Sequence, residues 1–462
     1  MRYQLTILLI FATLIGLSQS LPIIPQPQQV KLSGDSVDVQ RFKGLVFISS
    51  HQLDKYNDEA YHLVIKRDTL YAETNSVKGS YYAEQTYRQL CQNSSERKIA
   101  CCDILDYPAY SYRGMHLDVC RHFFSKEYIK HYIDTIAYYK INTLHWHLTD
   151  DQGWRIEIMQ YPRLTEVGAW RTEKDGSKYG GYYTHADIKE IVAYANKHFI
   201  TIIPEIEMPG HSSAALAAYP FLSCSGQQCT VATTWGIKAD IYAPSDTAFH
   251  FIEGVLDEVC ALFPSPYIHI GGDEAPKAQW RNSNKAQTVI KQNDLKNEEE
   301  LQHYFMHRIE LYLKTKGKQA IGWGEVVKGG LSDSMVVMSW LSKAAGVKAV
   351  LHGNDAIMAP RSYCYFDYPQ HGSEPLHAIW MLYLTLKRVY SFDPMPMGLT
   401  LAQQKHILGG EATLWTEYLK TEAEANHQLM PRLAALAEAL WTKTDKKEFK
   451  DFEKRLNAFK VK

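Results

Sequence analysis

From residue 110 onward the chain alternates short buried runs with long amphipathic stretches, and this alternation narrows the possible architecture more than any other feature. The short runs read as strands at 112–118, 143–148, 201–204, 267–271, 319–323, 335–339, 356–359 and 407–410. Between them, apolar residues at helical spacing predict helices at 126–139, 186–198, 249–263, 299–316, 376–389 and 429–441. Buried strands separated by helices imply a parallel sheet with right-handed crossovers. Eight such units over about 350 residues fit a (β/α)8 TIM barrel of α/β class with enlarged loops. An open doubly wound sheet is the structural alternative, weakened because no Gly-rich phosphate turn follows the first strand. Ahead of the barrel, alternating runs at 45–48 and 61–65 and a helix-like stretch at 80–91 describe a small α+β unit. The expected organisation is therefore 1–20 as an export signal, 21–106 as a small α+β domain and 107–462 as the barrel.

The export signal is read from Met1-Arg2-Tyr3, an apolar run over 5–17 and the small-x-small site Ser18-Gln19-Ser20. That apolar run is too short for a membrane span, and no later stretch supplies the ~20 apolar residues that spanning needs. A secreted or periplasmic protein with no membrane span is expected. With 50 Lys and Arg against 51 Asp and Glu, the net charge is −1, which removes the broad electrostatic pull toward nucleic acid. The oligomeric state is left open. Eight cysteines in 462 residues do not make a disulfide scaffold. An oxidising compartment would still permit Cys224 to pair with Cys229 across Ser-Gly-Gln-Gln, or Cys91 with Cys101 or Cys102. One glycosylation sequon, Asn93-Ser94-Ser95, is present.

In a barrel of this type, side chains that do chemistry sit just past the carboxyl ends of the strands. Every predicted strand end here is rich in acids, histidines or aromatics. They are Asp118 and Arg121; His145, His147, Asp150 and Asp151; Glu205, Glu207 and His211; His269, Asp273 and Glu274; Trp323 and Glu325; Trp340; Arg361, Tyr365 and Asp367; and Glu411, Trp415 and Glu417. The run Ile268-His269-Ile270-Gly271-Gly272-Asp273-Glu274 has the most chemical content, because two glycines allow close backbone approach and deliver two adjacent carboxyls. Adjacent carboxyls repel, so one pKa should rise, which suits a proton donor. Retaining glycosidases ordinarily set a nucleophile and an acid ~5 Å apart across the sugar. Sequence neighbours do not do that, so the nucleophile must come from elsewhere.

Five ordered stretches carry a resemblance: Arg113-Gly114-Met115-His116-Leu117-Asp118-Val119-Cys120-Arg121-His122-Phe123, His145-Trp146-His147-Leu148-Thr149-Asp150-Asp151, Pro204-Glu205-Ile206-Glu207-Met208-Pro209-Gly210-His211, the run from His269 to Glu274, and Gly409-Gly410-Glu411-Ala412-Thr413-Leu414-Trp415-Thr416-Glu417. Over essentially the whole of residues 21–462 the chain resembles the β-N-acetylhexosaminidases of glycoside hydrolase family 20. The resemblance implies an exo-acting, retaining enzyme that removes terminal β-linked N-acetylglucosamine or N-acetylgalactosamine. In that mechanism the substrate's own 2-acetamido oxygen attacks the anomeric carbon and forms an oxazolinium intermediate. It implies a carbohydrate partner, no cofactor and no metal.

Carried over residue by residue, Glu274 is the implied general acid and base, Asp273 the group that orients the acetamido N–H, and Tyr365 a hydrogen-bond donor to the acetamido oxygen. Trp323, Trp340 and Trp415 are the implied walls around the acetamido methyl and the sugar ring. Arg121, Asp150 and Glu417 would grip the 3- and 4-hydroxyls, with Asp367 near the 6-hydroxyl. His211, supported by Glu207, would hydrogen-bond the general acid, while His269 and Asp118 serve as scaffold. Two positions depart from the family pattern: Glu207 stands where Asp is common, and Gly324 where an acid is frequent. Two other readings remain: a metal-dependent barrel hydrolase using His145, His147, His211, His269 and Asp273, and a barrel that binds amino sugars without cleaving them.

Overall fold

A computed structural model of the chain describes residues 21–94, 97–379 and 381–459. The predicted export signal, and Ser95 of the sequon, lie outside those residues. Two units are seen, the first a five-stranded sheet in the order β1-β5-β3-β4-β2. Its strands are β1 (Gln29–Asp38), β2 (Val46–Ser49), β3 (Tyr61–Ile65), β4 (Leu70–Thr74) and β5 (Lys98–Asp106). The helix Val77–Gln92 packs on β3, β4 and β5. It begins three residues earlier than the periodicity indicates, because the Ser76 side chain accepts from Gly79 N and caps it.

The second unit is a closed barrel of eight parallel strands: β6 (Tyr112–Asp118), β7 (Thr143–His147), β8 (Thr201–Met208), β9 (Tyr267–Gly271), β10 (Gln319–Trp323), β11 (Val336–Ser339), β12 (Ala356–Met358) and β13 (Ile407–Ala412). All eight strands predicted from sequence are present. The third is longer than expected, since the prediction stopped at Pro204; the strand runs through it to Met208, which places Glu205 and Glu207 within the wall rather than beyond it.

The helices Lys126–Tyr138, His185–Lys197, Asp246–Leu262, Glu298–Thr315 and Arg432–Trp441 lie where they were expected, within a few residues. The predicted helix over 376–389 is the exception, for only Leu386–Tyr390 is helical. Its upstream apolar residues do not share one buried helical face: Met381 and Leu384 reach the core, but Ile379 is 98% exposed and Leu382 61%. Helical spacing without a receiving surface does not stabilise a helix. Neither of the cysteine pairings that the spacing permits is formed, all eight cysteines being free thiols. Among the described residues, no helix is long and apolar enough to cross a membrane.

The barrel interior is divided. β10 to β12 contribute Ile321, Val336, Met338 and Ile357 to an apolar cluster. The opposite wall, β6 to β9 with β13, contributes His116, His145, His147, Glu205, His269 and Glu411, all fully buried.

A buried ionic junction joins the small domain to the barrel. Asp106 at the end of β5 accepts from Tyr61 Oη at 2.5 Å, Lys140 Nζ at 3.0 Å and Trp441 Nε1 at 2.9 Å. Arg113 of β6 pairs with Glu59 at 2.7 Å and lies over the Trp441 ring. Removing one member of such a junction strands the others without solvent. Asp106→Ala, which leaves the Lys140 ammonium buried and unpaired, is expected to lower unfolding free energy by about 3 kcal/mol or more, measured by urea unfolding. An unchanged urea midpoint would show that the junction does not hold the two units together.

Candidate active site

The carboxyl end of β9 turns through Gly271 (φ +66°) and Gly272 (φ +97°) before Asp273 and Glu274. Neither glycine is replaceable in this conformation. A Cβ on Gly271 would lie 1.9 Å from Glu207 Oε2, and one on Gly272 would lie 2.7 Å from Val326 Cγ1. The turn is held from behind by Gln302, whose amide donates to Gly272 O at 2.6 Å. Glu274 itself is left-handed at φ +45°, as is His211 at φ +48° on the loop after β8. Two non-glycine residues in this region, facing one another, mark a site where the backbone is bent to aim side chains.

His211 Nε2 lies 3.7 Å from Asp273 Oδ2 and 3.6 Å from Glu274 Oε2, while its Nδ1 lies 3.3 Å from Asp150 Oδ1 and from Asp151 Oδ2. Burial opposes charge on this ring, but Asp150, Asp151 and Glu274 outweigh it and hold its pKa well above the usual value. The expected support of His211 by Glu207 is not what the structure has. Glu207 sits beneath Gly271 with neither carboxylate oxygen hydrogen-bonded, and burial, with Asp273 and Glu205 adding to it, pushes its pKa well up. Asp150 and Asp151 take that role, and Ser213 fixes Asp151 through its N–H at 3.0 Å and its hydroxyl at 2.6 Å.

Asp273 is raised, with burial rather than its neighbour as the main cause. Its carboxyl is pushed up to about 7, chiefly by burial, with His211 opposing and Glu325, Glu274 and Glu205 adding. The Asp273 side chain is 13% exposed and that of Glu274 34%. Asp273 Oδ1 is buried with no hydrogen-bond donor.

Aromatic rings from four strand ends line the same mouth. Trp323, nearly fully buried at the end of β10, donates from Nε1 to Glu205 Oε1 at 2.7 Å, and its ring centroid is 6.0 Å from that of Trp415. Trp340 stacks on Tyr365 at 6.0 Å and 21°, and Tyr365 lies 6.4 Å from Trp415. The Tyr365 hydroxyl has its pKa pushed well up by burial, Asp367 and Asp273, so it stays a proton donor.

Opposite these rings, Arg121 forms a cationic clamp. Its guanidinium reaches Asp150 at 2.8 Å, Asp118 at 3.3 Å and Glu417 at 3.9 Å, and it lies 5.0 Å from the Trp415 ring centroid. Gln152 also accepts from Arg121 Nε at 3.1 Å. Asp118 is scaffold, as expected: it accepts from the N–H groups of Cys120 and Arg121 and from Thr416. Asp367 carries a buried, unpartnered Oδ1. Burial, with Glu417 nearby, holds its pKa well up. The eleven residues expected to act on or bind the sugar therefore face one mouth. Sequence reasoning gave no role to Asp151, Gln152 or Glu325; the acidic doublet at 150–151 was the available signal for the first.

Both ring nitrogens of His145 and of His147 lie against carboxylates. Nδ1 of His145 lies 2.8 Å from Glu411 and its Nε2 3.2 Å from Glu205. His147 bonds Glu205 through Nδ1 and Asp150 through Nε2 at 2.9 Å. His269 lies 2.9 Å from Glu205, which makes it part of this scaffold as expected.

Fold and site together define a (β/α)8-barrel protein of the carbohydrate-active kind, with adjacent acids, an aromatic cage and an arginine clamp at one mouth. The chain belongs to glycosyl hydrolase family 20: the model of that family's catalytic domain matches residues 110–444, and the model of its domain 2 matches residues 40–107. It is 46% identical over 393 residues to a beta-hexosaminidase of Porphyromonas gingivalis, covering 83% of this chain but 50% of that protein. It is 37% identical to one from Vibrio furnissii, of which it spans 65%. A beta-hexosaminidase of Akkermansia muciniphila is 32% identical, with 94% and 88% of the two chains covered. Among solved structures, the GH20 exo beta-N-acetylglucosaminidase of Vibrio harveyi in complex with N-acetylglucosamine superposes with TM-score 0.85 at 31% identity, over 95% of this chain and 76% of that one.

Because Asp273 holds its proton to about 7 in the fold but near 4 in an unfolded chain, the native state binds the extra proton between those values. Its contribution to stability is complete below about pH 4 and is lost as pH rises through about 7. Asp273→Asn, which cannot ionise, is therefore expected to melt a few degrees above the unsubstituted protein at pH 8, with the gap closing toward pH 4. Equal melting temperatures at pH 8 would contradict the buried, raised carboxyl.

Proposed function

We propose that this protein is an exo-acting β-N-acetylhexosaminidase that releases terminal β-linked N-acetylglucosamine or N-acetylgalactosamine with retention of configuration. The observation that carries the reading is the unpartnered, buried Asp273 Oδ1 beside Glu274 and the Trp323–Trp340–Trp415 cage. An acceptor without a donor awaits an N–H group, and the acetamido arm of the substrate supplies one. The beta-hexosaminidase relatives support the same reading.

In the proposed reaction, Arg121, Asp150 and Glu417 take the sugar's hydroxyls and close the pocket beyond the terminal residue, with Asp367 near the 6-hydroxyl. The acetamido carbonyl oxygen, oriented by the Tyr365 hydroxyl, attacks the anomeric carbon as Glu274 protonates the departing oxygen. An oxazolinium ring forms. Ionised Asp273 accepts from its N–H and offsets its positive charge. Glu274, now a carboxylate, takes a proton from water, which opens the ring on the face the leaving group left. The three indoles hold the acetamido group in the attacking geometry.

Residues 1–20 support a further proposal, that the protein is exported and acts on glycans outside the cytoplasm.

Glu274→Gln is expected to reduce turnover of an aryl β-N-acetylglucosaminide by 10²-fold or more while leaving the fold intact. Asp273→Asn should cost a similar factor, and a β-glucoside, lacking the acetamido arm, should hardly react. Comparable rates on the two glycosides would exclude substrate assistance. Because Asp273 must be ionised to accept the N–H, kcat/KM should fall as pH drops below about 7, the value of the free enzyme. The limb in kcat should lie lower, since the bound N–H favours the carboxylate. An acid limb in kcat/KM well below 6 would place another group in control.

A further inference from the structure

Glu325 faces the two catalytic acids from the side of β10, and neither the resemblance nor the proposed reaction gives it a part. It lies two residues beyond Trp323, half-buried; burial raises its pKa and the Glu274 charge adds to that, while its own charge adds to the burial that raises Asp273. Its Oε2 accepts from Trp340 Nε1 at 2.8 Å. Trp340 is half-buried, stacking on Tyr365 at 6.0 Å.

The indole also lines a cavity of about 260 Å3, whose other walls include Gly324, Val327, Leu341 and Ala345. Gly324 contributes no side chain there, and a Cβ at that position would meet Ala345 Cβ at 3.0 Å. A ring that borders an open cleft has few packing contacts on that side to fix it. Its orientation must then come from a directional bond.

We infer that Glu325 is a positioning residue that locks Trp340 as the wall of the acetamido cage and so sets how large an N-acyl group the enzyme accepts. The inference rests on the acetamido-directed reading of the site. A charge-assisted hydrogen bond to an indole N–H is strong and directional. With the bond in place, the ring stays between Tyr365 and the void, and the cage is closed around a methyl. Without it, the ring has room to turn toward the cavity, and the cage widens by the space it leaves.

The test compares aryl N-acetyl- and N-propionyl-β-glucosaminides on three proteins: unsubstituted, Glu325→Ala and Glu325→Gln. Glu325→Ala should lower kcat/KM on the acetyl substrate about tenfold or more and shrink the acetyl-over-propionyl preference by a similar factor. Glu325→Gln keeps a carbonyl acceptor for the Trp340 N–H and should retain the acetyl preference within about threefold. Melting temperatures of both variants accompany the rates, and a general loss of packing would scale both substrates alike without moving their ratio. An acetyl-over-propionyl ratio unchanged in Glu325→Ala would overturn the inference, as would the same loss of preference in Glu325→Gln. If Glu325→Ala does not fold, the Gln variant decides alone, against Trp340→Phe, which has no N–H to be held: a ratio that survives in Trp340→Phe also overturns it. No turnover of the acetyl substrate by the unsubstituted protein would instead defeat the hexosaminidase reading itself.

Discussion

Glu205 is fully buried inside the barrel, and the catalytic mouth is assembled around the donors that make its charge tolerable. Its carboxylate is met by His147, by His145 at 3.2 Å, by His269 at 2.9 Å and by the Trp323 indole at 2.7 Å. An isolated carboxylate at this depth would neutralise. Here burial is outweighed by His147, His269 and His145, which hold its pKa well below the ordinary range. Against the penalty of burial, Glu411 and Glu205 push His145 up to about 9, and Glu205 and Asp150 push His147 up to about 10. Such a cluster is poor evidence for net stability, because desolvating the charges costs about as much as their attraction returns. What it does provide is position: strands β7, β8, β9 and β10 are tied to one point, and Trp323 is oriented by it.

The same chain of charge reaches the substrate-facing residues. His147 passes from Glu205 to Asp150, and Asp150 touches both Arg121 at 2.8 Å and His211 at 3.3 Å. Asp150 therefore belongs to two machines at once, the hydroxyl clamp and the histidine that faces Glu274. Arg121 and His211, opposed by burial, together hold it well below the ordinary carboxylate pKa. A change at Asp150 would disturb grip and proton transfer together, which separates it from Glu417, whose contact with Arg121 is longer at 3.9 Å.

The strands were legible because each is short and mostly buried on both faces, and most are followed by an amphipathic helix, the pattern that a parallel sheet satisfies. The failures have one physical source: partners distant in sequence decide them. The apolar spacing at 376–389 looks helical, and nothing in it reveals that the barrel offers no surface to receive Ile379 and Leu382. Pro204 signals a strand end, yet its missing N–H is tolerated inside β8, where the residue is paired in register with Trp146. At the site, the acids and aromatics were readable from their places at strand ends. Their pairing was not: Glu207 precedes His211 by four residues but lies beneath Gly271, whereas Asp150 and Asp151 come from another strand end 60 residues earlier in the chain.

Adjacency of Asp273 and Glu274 explains a division of labour that neither residue has alone. A pair of neighbouring carboxyls repels, and the more deeply buried member absorbs the penalty. That member is Asp273, 13% exposed against 34% for its neighbour. In the empty site it keeps a proton to about 7, so the site carries one less uncompensated charge while it is open. An acetamido N–H arriving at Oδ1 favours the carboxylate, and a cationic oxazolinium ring favours it far more, because an opposite charge at contact distance shifts the equilibrium most in a buried setting. Negative charge at residue 273 is thus strongest where positive charge develops on the reacting sugar. In the proposed reaction this would stabilise the transition state over the ground state, through the desolvation that would otherwise count as a defect of the site.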